Sequence, residues 1–198
     1  MPAISKIRLT NIIYEDGDKR INDEVYLFDG HNGAILLENG GGKTVFIHTV
    51  LQAVLPHTNL GERKIRETLQ LENGPAHVGI EWIINEHPRR YMTTAVSLFL
   101  YNNALQSHRY VFEYEHDHPD RLETMPFVVE SNGNRRPAYK EEVADYYQAM
   151  KHKTHNARTF DTLGSFHTYI EENYQIIHNE WESIVKINGD EGGHRKVL

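Results

Sequence analysis

Residues 34–49 read AILLENGGGKTVFIHT: four apolar residues, a polar pair, three glycines, then Lys43-Thr44 and a second apolar run. The strict phosphate-loop pattern G-x-x-x-x-G-K-[ST] asks for glycine where this chain has Leu37. The physics behind the pattern asks for less. A phosphate loop works because successive backbone N–H groups converge on the anion while the following helix presents its positive N-terminus. Glycines are needed where a Cβ would block that approach. Here Gly40 and Gly42 take the close-approach positions, Lys43 supplies the cation, and the Thr44 hydroxyl is placed to ligate magnesium. The alternative is a flexible turn with a solvated lysine. Lysine opposes the dipole at a helix start and three glycines raise the entropy cost of ordering, so a bound anion accounts better for both.

Working outward, residues 4–14 (ISKIRLTNIIY) alternate and are β-branched, which predicts a strand. EDGD at 15–18 turns the chain into a second strand at 24–29, and AILL forms a third, apolar at four consecutive positions as a strand covered on both faces should be. From Thr44 to Leu55 the apolar residues recur at helical spacing and Pro56 follows as a stop. Strands are expected near 77–84, 89–101 and 108–115. The links between them, NEHP and NNALQS, are too short to hold a crossover helix, so these strands should be antiparallel neighbours. PFVVE and the turn SNGN precede helices expected at 140–150, 160–173 and 180–187.

The composition is that of an ordinary globular chain: 198 residues, 39% hydrophobic and 25% charged. No apolar run reaches the roughly 18 residues that a membrane-spanning helix needs, and the N-terminus lacks the apolar core of a signal peptide. The expected location is the cytoplasm, with nucleoid association open. Cysteine is absent, which removes disulfide and thiolate chemistry. A net charge of −7 argues against a surface that binds nucleic acid everywhere, so any DNA contact must come from local basic patches. The sharpest such run in the sequence is KHKTHNAR, with Lys151, Lys153 and Arg158; a solvated loop is its simpler reading.

The order of elements, with Thr10-Asn11-Ile12 closing the first strand and Leu37-Glu38-Asn39-Gly40-Gly41-Gly42-Lys43-Thr44 as the loop, resembles the N-terminal head segment of SMC/RecN/MukB-like P-loop ATPases of the ABC type. Asn39 fits a position of the family's loop, G-x-N-G-x-G-K-[ST], and Leu37 departs from it. The resemblance implies an α/β fold: a head lobe with a mixed sheet around the P-loop helix, an antiparallel β subdomain and C-terminal helices. It implies one lobe over residues 1–198, divided into 1–56, 57–130 and 131–198. It also implies ATP and Mg2+ as cofactors, held by Asn39, Gly40, Gly41, Gly42, Lys43, Thr44 and Val45, with Thr44 on the metal.

In such heads ATP is sandwiched between two heads that dimerise on binding it. The signature sequence and the Walker B carboxylates come from a C-terminal lobe, and neither element is found in this sequence. The expectation is therefore half of an ATPase head that acts on DNA in chromosome maintenance, repair or anti-phage defence, a piece of a longer chain that is inactive alone because those parts are missing. The LLENGGGKT variant looks like SMC-like ATPases of bacterial genome-defence systems. Two other classes stay open: a small P-loop kinase, which would need parallel strands beyond the first helix, and a non-catalytic interaction domain whose Leu37 closes the phosphate cavity.

Weaker candidates complete the inventory. Asn188 in KINGDEGG stands about where the family's Q-loop glutamine would, a solvated tail being the alternative. Arg63 or Arg66 could meet DNA or a partner head, although an exposed helix with Glu62 four residues before Arg66 explains both. Tyr14 could stack on adenine, or simply pack. His116, Asp117, His118 and Asp120 form the densest group of metal-ligating side chains, but without a third ligand at diagnostic spacing.

Overall fold

The computed structural model describes residues 1–33 and 42–191, with side chains placed as far as residue 187. The strand expected at 34–37 and the loop residues Asn39, Gly40 and Gly41 lie outside the described residues, as does the side chain of Asn188.

The chain opens with β1 (Ala3–Tyr14) and β2 (Lys19–Leu27), then α1 (Lys43–Leu51) and the short α2 (Ile65–Thr68). β3 (Ala76–Glu86), β4 (Arg89–Tyr101) and β5 (Ala104–Glu115) follow, then the hairpin β6 (Val128–Ser131) and β7 (Asn134–Pro137). α3 (Lys140–Lys153), β8 (Ala157–Phe160), α4 (Leu163–Tyr174) and α5 (His178–Glu191) complete the order. Six strands form one sheet in the order β2-β1-β3-β4-β5-β8, and every neighbouring pair in it is antiparallel.

The mixed α/β class therefore stands, and the three central antiparallel strands fall where the short links put them. The mixed sheet expected around the P-loop helix does not: among the described residues no two strands are parallel. Tight turns join β1 to β2, β3 to β4 and β4 to β5, and such turns reverse the chain each time. Even β3, which returns after α1 and α2, pairs with β1 in the opposite sense. This sheet is not the parallel core of a P-loop fold, and the small-kinase alternative finds no parallel strand beyond α1.

Side-chain alternation assigns the two faces of the sheet. On β3, Val78, Ile80 and Trp82 point to one face, where Val45 and Leu51 of α1, Phe166 and Ile170 of α4 and Trp181 of α5 join them in one buried cluster. Trp82 and Trp181 meet edge to face with ring centroids 5.7 Å apart. Full burial of such a ring is worth on the order of 3 kcal/mol. The intervening His77, Gly79 and Glu81 point to the other face, which residues 122–150 cover with Leu122, Met125, Phe127, Val143 and Tyr147. Gly79 has a steric reason: a Cβ there would lie 2.5 Å from Leu122 Cδ1.

That second face carries buried polar groups, and Glu81, His77 and Arg8 among them are paired as burial demands. Ser5 Oγ donates to Glu81 Oε1 at 2.8 Å, and the Tyr114 hydroxyl donates to Glu81 Oε2. His77 sits fully buried between Ser97 Oγ and the Ala138 carbonyl, each 2.8 Å from a ring nitrogen. Arg8 donates to the Leu122 and Met125 carbonyls at 2.9 and 2.7 Å, tying the covering segment to β1.

Several boundaries depart from expectation, among them those of α5, which spans His178–Glu191 rather than 180–187. β2 starts at Lys19 rather than Glu24, because its register with β1 extends from Tyr14↔Lys19 to Lys6↔Leu27. Helix α1 ends at Leu51, after which tight turns carry the buried residues Gln52–Leu55. Helix α3 runs on to Lys153. The helix expected to begin at Phe160 begins at Leu163, because Ala157–Phe160 is instead the edge strand β8 on β5.

Candidate anion site at the start of helix α1

The apolar run after the glycines folds as helix α1 because the sheet needs a cover. Val45, His48, Thr49 and Leu51 are buried beneath it, and Phe46 meets Tyr26 of β2 edge to face at 5.1 Å. Packing thus fixes where the helix begins. Gly42 occupies the N-cap position with φ 88° and ψ 27°, in the left-handed region that favours glycine. A Cβ at that position would lie 2.8 Å from Cε2 and Oη of Tyr14. The last residue of β1 therefore presses its ring against the backbone at which α1 starts.

Three features of this terminus would favour an anion. The first intrahelical bond is donated by Phe46 N–H to Gly42 O at 2.8 Å, so the N–H groups of Lys43, Thr44 and Val45 have no partner within the helix. Among the described residues no side chain caps these groups, and the first turn carries no acid. Lys43 is exposed and forms no ion pair among the described residues, which puts a cation where the helix field is already positive. Thr44 beside it is half-buried and Val45 is anchored in the core. A negatively charged group would relieve all three conditions at once.

The structure therefore brings Gly42, Lys43, Thr44 and Val45 together at one helix end. Asn39, Gly40 and Gly41, the other half of the expected loop, fall outside the described residues. Tyr14 is 7% exposed and packs on Gly42, so its ring is part of the scaffold rather than a free stacking surface. Arg66 does not pair with Glu62. It donates to Asn103 Oδ1 at 2.9 Å and reaches Glu72 at 3.4 Å, bracing α2 against the β4–β5 turn, while Arg63 remains exposed.

The histidine cluster also resolves into structure. His118 Nδ1 accepts from the Asp120 N–H at 3.0 Å and its ring packs on Phe112. Among the described residues, no three His, Asp or Glu side chains are placed to hold a metal. Lys151 and Lys153 lie exposed in the last turn of α3, where cations complement the helix dipole, and Arg158 stacks over Tyr169.

Sequence reading missed the polar cluster at the far end of α1. His48 Nε2 lies 3.0 Å from the Thr58 carbonyl, which also accepts from Gln52 Nε2 at 3.0 Å, and Gln52 Oε1 accepts from His57 N–H at 2.8 Å. His57 Nε2 is 2.7 Å from Ser107 Oγ. Burial lowers the pKa of both histidines by disfavouring the charged ring. The cluster locks the chain reversal that returns α1 to the sheet. Its signal was a polar pair, His48 and Gln52, spaced i,i+4 on an otherwise apolar helix.

No protein-family model matches the chain, and no curated protein matches it either. Among the described residues, no helix is long and apolar enough to cross a membrane.

Proposed function

We propose that the chain is the ATP-binding half of an SMC-like ATPase head that acts on DNA. The observation that carries this reading is the uncapped start of α1, where left-handed Gly42 is followed by exposed Lys43 and by Thr44, as the sequence ENGGGKT requires of a phosphate loop. Lys43 would neutralise the β- and γ-phosphates, Thr44 would hold Mg2+, and the N–H groups from Gly40 to Val45 would cradle the phosphates. Mg2+ supplies charge neutralisation between the phosphates when bound. Hydrolysis would need the signature and Walker B residues of a C-terminal lobe, and ATP would join this half to a second head.

Magnesium dependence tests the assignment. Wild type should bind ATP more tightly with Mg2+ than without, and Thr44→Val, which keeps the side-chain shape and removes the hydroxyl, should lose most of that difference. ATP affinity in the variant that still rises with Mg2+ as it does in wild type removes Thr44 from the site.

A further inference from the structure

Across the sheet from α1, a cleft of about 300 Å3 opens between the β1–β2 ribbon and the β6–β7 hairpin, lined by Asn11, Arg20, Asn22, Asp23, Arg135 and Arg136. Its charges do not cancel. Asp23 is already engaged from below: Arg8 Nε and Nη2 donate to its two oxygens at 2.9 and 3.2 Å, and Thr10 Oγ1 donates at 2.8 Å. Arg135 Nη2 shares the same carboxylate at 2.9 Å while its side chain stays 60% exposed. Arg136 is held by both oxygens of Glu142, at 2.7 and 3.1 Å, and lies over the Tyr139 ring. Arg20 is exposed and makes no ion pair among the described residues.

Four guanidinium groups thus share two carboxylates. Glu130 stands opposite Arg135 in the hairpin register, yet no ion pair joins them among the described residues. In a chain of net charge −7 this surplus is local, and it is carried by arginines, whose planar fork suits the paired oxygens of phosphate better than an ammonium does. Exposed Asn22 adds an uncharged amide beside them. The two arginines with the least compensation, Arg20 and Arg135, come from the two opposite walls.

We propose that this cleft binds phosphodiester groups of a nucleic-acid backbone. The proposal rests on the DNA-acting part of the function above and names its contact surface. It involves neither KHKTHNAR nor the start of α1. Such contacts fix position on a duplex and carry no base sequence, so binding should be sequence-tolerant and steeply salt-dependent.

The test measures binding of a short fluorescent DNA duplex to the full chain, without nucleotide, across a salt series. Arg20→Gln/Arg135→Gln is the informative variant, since both side chains project to solvent and neither supports the core. The expected result is a loss on the order of tenfold per arginine near 0.1 M salt, with a salt slope shallower by about two. Lys43→Ala should leave this nucleotide-free affinity unchanged, so a failed ATP assignment and a failed cleft are told apart. Unchanged DNA affinity in the double arginine variant overturns the cleft. Binding of inorganic phosphate without DNA binding overturns the nucleic-acid source, and equal affinity for polyglutamate overturns the phosphate chemistry.

Discussion

Gly42→Ala probes the joint that sets the start of α1. The new residue would have to keep φ 88°, a left-handed conformation that costs an L-residue with a Cβ roughly 1–2 kcal/mol. Its Cβ would also meet Tyr14 Cε2 and Oη at 2.8 Å, well inside ordinary contact. Overpacking of that kind typically costs about 1–3 kcal/mol. Together these give a loss of roughly 2–5 kcal/mol against a total stability of about 5–15 kcal/mol for a domain.

The two contributions can be separated because only the second needs the ring. In a Tyr14→Leu background, Gly42→Ala should retain its conformational cost and lose most of its steric one, leaving a coupling of about 1–3 kcal/mol in a double-mutant cycle. Urea unfolding followed by tryptophan fluorescence reads this directly, since Trp82 and Trp181 are both buried in the cluster that α1 covers. A Gly42→Ala cost that is the same with and without the Tyr14 ring refutes the packing argument. A cost within a few tenths of a kcal/mol of zero in both backgrounds refutes the left-handed cap as well.

Further outcomes follow from the buried polar groups. Burial lowers the His77 pKa to about 4, with the Ala138 carbonyl only partly opposing it, and burial lowers that of His167 to about 4 as well. The unfolded chain therefore binds more protons than the native one as pH falls from about 6.5 towards 4, so stability should be full above that window and decline through it. For fully buried His77 the decline over the whole window is about 3 kcal/mol, of which about 2 kcal/mol falls between pH 7.5 and pH 5 and is measurable as a shift of the urea midpoint; a flat midpoint contradicts it. Arg8→Met should cost about 3–5 kcal/mol, because it leaves half-buried Asp23 short of its main partner and takes from the Leu122 carbonyl its donor, whereas Arg63→Met should be nearly neutral. Equal unfolding midpoints for the two variants would contradict that ranking.

The central antiparallel strands were legible because NEHP and NNALQS admit only a direct reversal, and because β3 and β4 are apolar enough to be covered on both faces. The edges were not. β2 begins with Lys19, Arg20, Asn22 and Asp23, a polar run whose strand conformation comes from pairing with β1 rather than from its own side chains. β8 is four residues long and leads straight into a helix, so its apolar end was absorbed into the helical pattern. The sense of the sheet around α1 has no local signal in the sequence, and the antiparallel pairing of β1 with β3 departs from what the resemblance implies.

At the site, Lys43, Thr44 and their helix were readable in sequence as a local pattern. The role of Tyr14 was not, since its contact with Gly42 joins positions 28 residues apart, the difference between those two numbers in the chain. The arginine cleft was harder still: Arg20 and Arg135 are brought together only when the β6–β7 hairpin folds over β1 and β2, and no spacing in the sequence announces it.

The central claim is that Lys43 and the N–H groups after Gly42 bind the phosphates of ATP. Calorimetric titration of Mg-ATP into wild type and Lys43→Ala tests it most directly. The account requires measurable binding to wild type and at least a tenfold weaker affinity in the variant, about 1.4 kcal/mol or more for one lost charge-assisted contact. Equal affinity in the two proteins, or no binding to either, contradicts it.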